Sequence, residues 1–77
     1  MLIARLETQS KYYAISIIED LLQDTVLVCN YGSKRTRFEQ HRTVLIESLA
    51  SGIAVAQKII KKRKSRGYQL LYSIAYE

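Results

Sequence analysis

Two periods of apolar residues divide this chain, one of two residues up to about residue 46 and one of about 3.6 beyond it. Leu2, Ala4 and Leu6 alternate with Arg5 and Glu7, which predicts a half-buried strand over residues 2–7, placed at a sheet edge. Residues 8–11 are polar and read as a turn. Residues 12–18 follow as a second strand with apolar side chains on both faces, Tyr13, Ile15 and Ile17 against Tyr12, Ala14 and Ile18. Residues 19–24 form the hairpin connection, and its pair Leu21-Leu22 is apolar enough that at least one of the two is expected to fold back on the core. Residues 25–31 and 42–46 are the third and fourth strands.

From Ser48 the spacing of Leu49, Ile53, Ala56 and Ile60 predicts a long helix with one buried face. Ser48 is placed to cap its N-terminus and Gly67 to close its C-terminus in a left-handed turn. A helix of about 18 residues is about 27 Å long and crosses a small sheet. Gly52 lies where the helix can press against that sheet. Residues 68–76 then alternate again, with Tyr68, Leu70, Tyr72, Ile74 and Tyr76 on one face of a final strand. Together these elements predict an α+β fold, an antiparallel sheet of four to five strands with one long helix packed across one face. One helix covers one face, so the apolar side chains of the other call for a second copy of the chain or another protein.

Length limits the chain to a single domain, residues 1–77, since 77 residues supply one thin core. With 48% hydrophobic and 25% charged residues, the composition is that of a folded protein. No apolar run is long enough to span a membrane, and the first residues lack a signal-peptide pattern, so a cytoplasmic protein without a membrane partner is expected. A lone Cys29 cannot form an internal disulfide, and with His41 it does not complete a metal site. No nucleophile, base and orienting acid assemble around either residue, and no glycine-rich phosphate loop precedes the helix. Neither catalysis nor a cofactor is therefore expected.

Charge changes the picture more. Twelve Lys and Arg against seven Asp and Glu give a net charge of +5, which favours polyanions. Two clusters carry the excess. In the first, Tyr31 and Gly32 lead into Lys34, Arg35 and Arg37, where Gly32 is expected to end or bend the strand and the cations to surround a phosphate. A hairpin turn with merely solvated charges is the alternative. The second holds six cations in nine residues, Lys58, Lys61, Lys62, Arg63, Lys64 and Arg66. Lys58, Lys61, Lys62 and Arg66 project opposite the apolar face as a basic ridge, with Arg63 and Lys64 nearer its borders. Favourable pairing with the helix dipole, and solubility, would explain the same charges.

Tyr31 is the best candidate for stacking on a base. Tyr13, Tyr72 and Tyr68 read as core or core-edge residues with hydroxyls reaching solvent. Cys29 reads as a small buried hydrophobe and His41 as the start of a strand.

Several segments, in order, resemble the WGR domain, a small module of DNA-dependent poly(ADP-ribose) polymerases and of short bacterial proteins. Ser10-Lys11-Tyr12-Tyr13 is similar to its opening segment and Tyr31-Gly32-Ser33 to its signature. Ile46 takes the place of the apolar residue before the helix, and Arg63-Lys64-Ser65-Arg66-Gly67-Tyr68 resembles the close of the pattern. The resemblance implies contact with DNA at the signature. Here tyrosine replaces its tryptophan and Ser33 its arginine, and no matching position carries the arginine's role to Arg35 or Arg37.

Two functional readings follow. One is a non-catalytic module that binds DNA, or RNA, through Tyr31, Lys34, Arg35, Arg37, Lys58, Lys61, Lys62 and Arg66. The other is a protein-interaction module, a homodimer or a small adaptor or inhibitor from a mobile element, using the second sheet face.

Overall fold

A computed structural model describes residues 2–19, 22 and 24–74. Five strands and one helix follow in the order β1 (Leu2–Glu7), β2 (Lys11–Glu19), β3 (Thr25–Ser33), β4 (Glu39–Ile46), α1 (Leu49–Ser65) and β5 (Gln69–Ser73). The strands form one antiparallel sheet in the spatial order β4-β3-β2-β1-β5, with α1 across one face. This is the α+β architecture that the two periods predict.

Pairing fixes which residues share a face. In the uninterrupted register of β2 and β3, Tyr13, Ile15 and Ile17 stand opposite Tyr31, Cys29 and Leu27. These six residues face the helix, where Ile15, Leu27 and Cys29 are fully or nearly fully buried with Leu6, Ala56 and Ile60. The partners of Ala14, Ser16 and Ile18 are Asn30, Val28 and Val26, and they form the outer face.

Ser48 caps α1: its side chain accepts from the Ser51 N–H, while the Ser51 hydroxyl accepts from the Ser48 N–H. Gly67, at φ +95°, closes the other end. Gly52 is buried where the helix meets the sheet, and a Cβ there would stand 2.9 Å from Ile17 Cδ1 and closer still to Ile46 Cδ1. Its lack of a side chain therefore sets the helix height above β2 and β4. Leu49, expected on the buried face, is half-exposed at the first position of the helix.

Two other expectations are corrected. β1 is interior, flanked by β2 and β5, because the strand after the helix returns along its open side. A register shift between Arg5 and Leu6 skips Leu71, so the alternation of the last strand breaks: Leu70 pairs with Leu6 on the helix face and Tyr72 with Arg5 on the outer face. Leu22 is 82% exposed, while Leu21, the other leucine of the pair expected to supply a residue to the core, and Tyr76 lie outside the described residues. β2 and β4 also begin earlier than the apolar pattern suggests, at Lys11 and Glu39, because ladder pairing carries polar residues into the strands.

Among the described residues no helix is long and apolar enough to cross a membrane, and no three His, Cys, Asp or Glu cluster as metal ligands.

Candidate nucleic-acid interface

At one end of the sheet, the end of β3, residues 34–38 and the last turn of α1 come together. They enclose an open cleft of about 410 Å³ lined by Lys11, Tyr31, Gly32, Ser33, Thr36, Phe38, Gln40, Arg63 and Tyr68. β3 does not end or bend at Gly32, as expected, but runs on through Ser33 with Gly32 paired to Glu39. What the glycine permits is a close approach. A Cβ at position 32 would stand 2.7 Å from the carbonyl oxygen of Phe38 and 3.3 Å from the Tyr12 hydroxyl, so a side chain there would push the loop outward.

Tyr31 forms one wall. Its ring stacks on that of Tyr13 at 5.2 Å between centroids and 13° between planes, and Tyr68 meets Tyr13 edge-on at 6.4 Å. Tyr31 is thus half-buried and packed against the core, rather than outside it, while also lining the cleft. Tyr13 is 3% exposed, which corrects the expectation that its hydroxyl reaches solvent. Burial first, and then its hydrogen bond with Cys29, push the Tyr13 phenol up to about 12, and burial raises the Cys29 thiol.

Arg63 closes the cleft from the helix side. Its guanidinium lies 4.4 Å over the Tyr13 ring and 5.9 Å from that of Tyr68. Its Nε is buried and has no hydrogen-bond partner. The pattern of charges alone places Arg63 near the border of the ridge. The signal that places it was present: it stands four and seven residues beyond Ile59 and Ala56 and three beyond Ile60, hence on the buried stripe. Local spacing does not mark Phe38, Lys11 and Tyr68 as cleft residues, because they are distant in sequence and only the fold brings them together.

The other candidates divide. Lys58, Lys61, Lys62 and Arg66 are all exposed, opposite the buried Gly52, Ala56 and Ile60. Arg35 and Arg37 are exposed on the loop, whose backbone is held by the Lys34 N–H to the Ser10 carbonyl and the Arg35 N–H to Ser33 Oγ. Lys34 is engaged elsewhere, since its Nζ lies 2.6 Å from Glu7 Oε1.

That pair belongs to a polar lattice on the outer face. Arg5 Nε also reaches Glu7 Oε2 at 2.8 Å and lies 5.1 Å over the Tyr12 ring, and the Tyr12 hydroxyl donates to Glu39 Oε2 at 2.5 Å. Lys34 first and Arg5 second hold the Glu7 carboxyl below its ordinary range, whereas the bond to Glu39 raises the Tyr12 phenol. Beside Ser16, Asn30, His41 and Thr43, this face also exposes apolar side chains, with Leu2, Ile18 and Leu45 at 41%, 45% and 70% exposure.

Neither protein-family models, nor curated proteins, nor solved structures yield a match to this chain.

Proposed function

We propose that the chain is a non-catalytic, WGR-like nucleic-acid-binding module of the cytoplasm, with DNA as its first candidate ligand. One observation carries this reading. Residues 49–65 of α1 include five cations and no carboxylate, so the exposed basic side lacks the i,i+4 acid–base pairs that a merely solvated helix commonly carries. Lys58, Lys61 and Lys62 have no acidic partner within the helix, and with Arg66 they suit successive phosphates. Arg63 joins that helix to an aromatic-lined cleft, beside which Arg35 and Arg37 add charge. Phosphate contacts of this kind give little sequence preference. Anisotropy titrations of single strands, blunt duplexes and nicked duplexes at two salt concentrations test the reading. Binding that weakens as salt rises supports it, and no binding to any of the three at low salt refutes it.

The exposed apolar part of the outer face favours a second reading, association of two copies. The charges around it, Arg5 and Lys34 with Glu7 and Glu39, balance in a chain of net charge +5, so two such faces meet without the repulsion of two basic helices. Light scattering at micromolar concentration decides: twice the 8.9 kDa chain mass supports a dimer and the chain mass itself opposes it.

A further inference from the structure

We infer that the cleft takes one unpaired base of a single-stranded nucleic acid, with the adjoining phosphate beside Arg63 and Lys11. This rests on the nucleic-acid reading and sharpens it, since a phosphate-binding ridge by itself would hold a duplex equally well.

Two features of the cleft lack a partner within the chain, and they stand on different elements. Phe38 is 85% exposed, although it follows a loop pinned at Ser10 and Ser33 and precedes a strand, so it is an aromatic side chain presented rather than packed. Across the cleft, Arg63 carries a buried Nε–H with no acceptor. Leaving either group so is unfavourable, one for apolar exposure and the other for a desolvated donor. A nucleotide answers the first with the apolar face of its base, and its phosphate and base edges offer acceptors to the Arg63 guanidinium in the cleft wall. The remaining lining suits the same guest. Tyr31 and Tyr68 add aromatic surface, while Gln40 and Thr36 supply donors and acceptors at its rim. A volume of about 410 Å³ lies in the range of small-ligand sites and fits one nucleotide, not a base pair with its backbones.

Strand pairing decides the form of the ligand. Base faces within a duplex are covered by their neighbours, so only an unstacked base can present a face to Phe38 or Tyr31. The ridge reads backbone alone and is indifferent to pairing.

Anisotropy with labelled oligo-dT, oligo-U and a blunt DNA hairpin closed by a non-nucleotide linker, of equal phosphate number and at one low salt concentration, tests this on the intact chain and on Phe38→Ala. The wild-type chain should bind the single strands more tightly than the hairpin. Phe38→Ala should weaken single-strand binding about five- to a hundred-fold, the value of one stacking contact, and leave hairpin binding unchanged. Because Phe38 is exposed, its melting temperature should match the wild type; Gln40→Ala gives a second variant outside the core, with a smaller loss for the single strands alone. Comparison of oligo-dT with oligo-U shows which sugar the cleft accepts, and tighter binding of either supports the inference. Equal binding of single strand and hairpin, or a folded Phe38→Ala that binds oligo-dT and oligo-U as well as wild type, overturns the cleft while leaving the phosphate ridge intact. No binding of any probe overturns both.

Discussion

The guanidinium of Arg63 lies 4.4 Å over the ring of Tyr13, joining the last turn of the helix to the middle of the sheet. Since Tyr13 also stacks on Tyr31, this contact ties the end of the helix to one wall of the cleft. Arg63→Ala should therefore lower stability by about 1–2 kcal/mol through the lost cation–π contact and stem packing. Arg63→Lys should lose less, keeping the charge without the flat group. Urea unfolding checks this, and a change for Arg63→Ala of less than about 0.5 kcal/mol would place the residue among ordinary surface positions.

Gly32 supports the cleft from the other side. Gly32→Ala brings a Cβ to 2.7 Å from a backbone carbonyl, that of Phe38, which cannot rotate away as a side-chain tip can. A cost of about 1–3 kcal/mol is expected, with amide shifts concentrated in residues 34–39. Wild-type stability and an unchanged loop spectrum would show that the close approach is not needed.

Much of this architecture is legible from the chain. The change of period at Ser48, the caps at Ser48 and Gly67, and the opposed faces of residues 12–18 all depend on local spacing, and each appears in the structure. What escapes is long-range. Nothing near residues 2–7 reveals that β5 will pair with them, and a bulge at Leu71 turns Tyr72 outward against its alternation. The site divides in the same way. The exposed side of the ridge follows from helical spacing, whereas Lys34 is drawn to Glu7 by a β1–loop encounter that no local pattern encodes. Tyr31 is legible as an aromatic at a strand end, but its stacking on Tyr13 follows only from the β2–β3 register.

The lattice on the outer face predicts an acid response. Because Lys34 and Arg5 keep the Glu7 carboxylate ionised to lower pH than in the unfolded chain, its contribution to stability is in place above the ordinary glutamate range, about 4.3, and is lost as pH falls below it. In Lys34→Gln the Glu7 titration, followed by carboxyl-carbon NMR, should move up toward that ordinary value. An unchanged midpoint would mean that the ion pair does not form in solution.

Tyr13 predicts the alkaline limb. Its phenol titrates near 12 in the folded chain against about 10 when unfolded, so its contribution is complete below about pH 10 and is lost as pH climbs through about 12. Absorbance of tyrosinate should show a phenol ionising together with unfolding. A Tyr13 phenolate in a chain still folded near pH 10 would contradict the buried contact with Cys29.

The salt dependence of DNA binding tests the central claim most directly. With about three to five phosphates held by the helix ridge and the loop, log affinity should fall against log salt with a slope of about −3 to −5. In Lys61→Glu/Lys62→Glu that slope should shrink by about two, with weaker binding and an unchanged melting temperature, since both side chains are exposed. A wild-type affinity independent of salt, or a double variant that binds as the wild type does, would contradict the account.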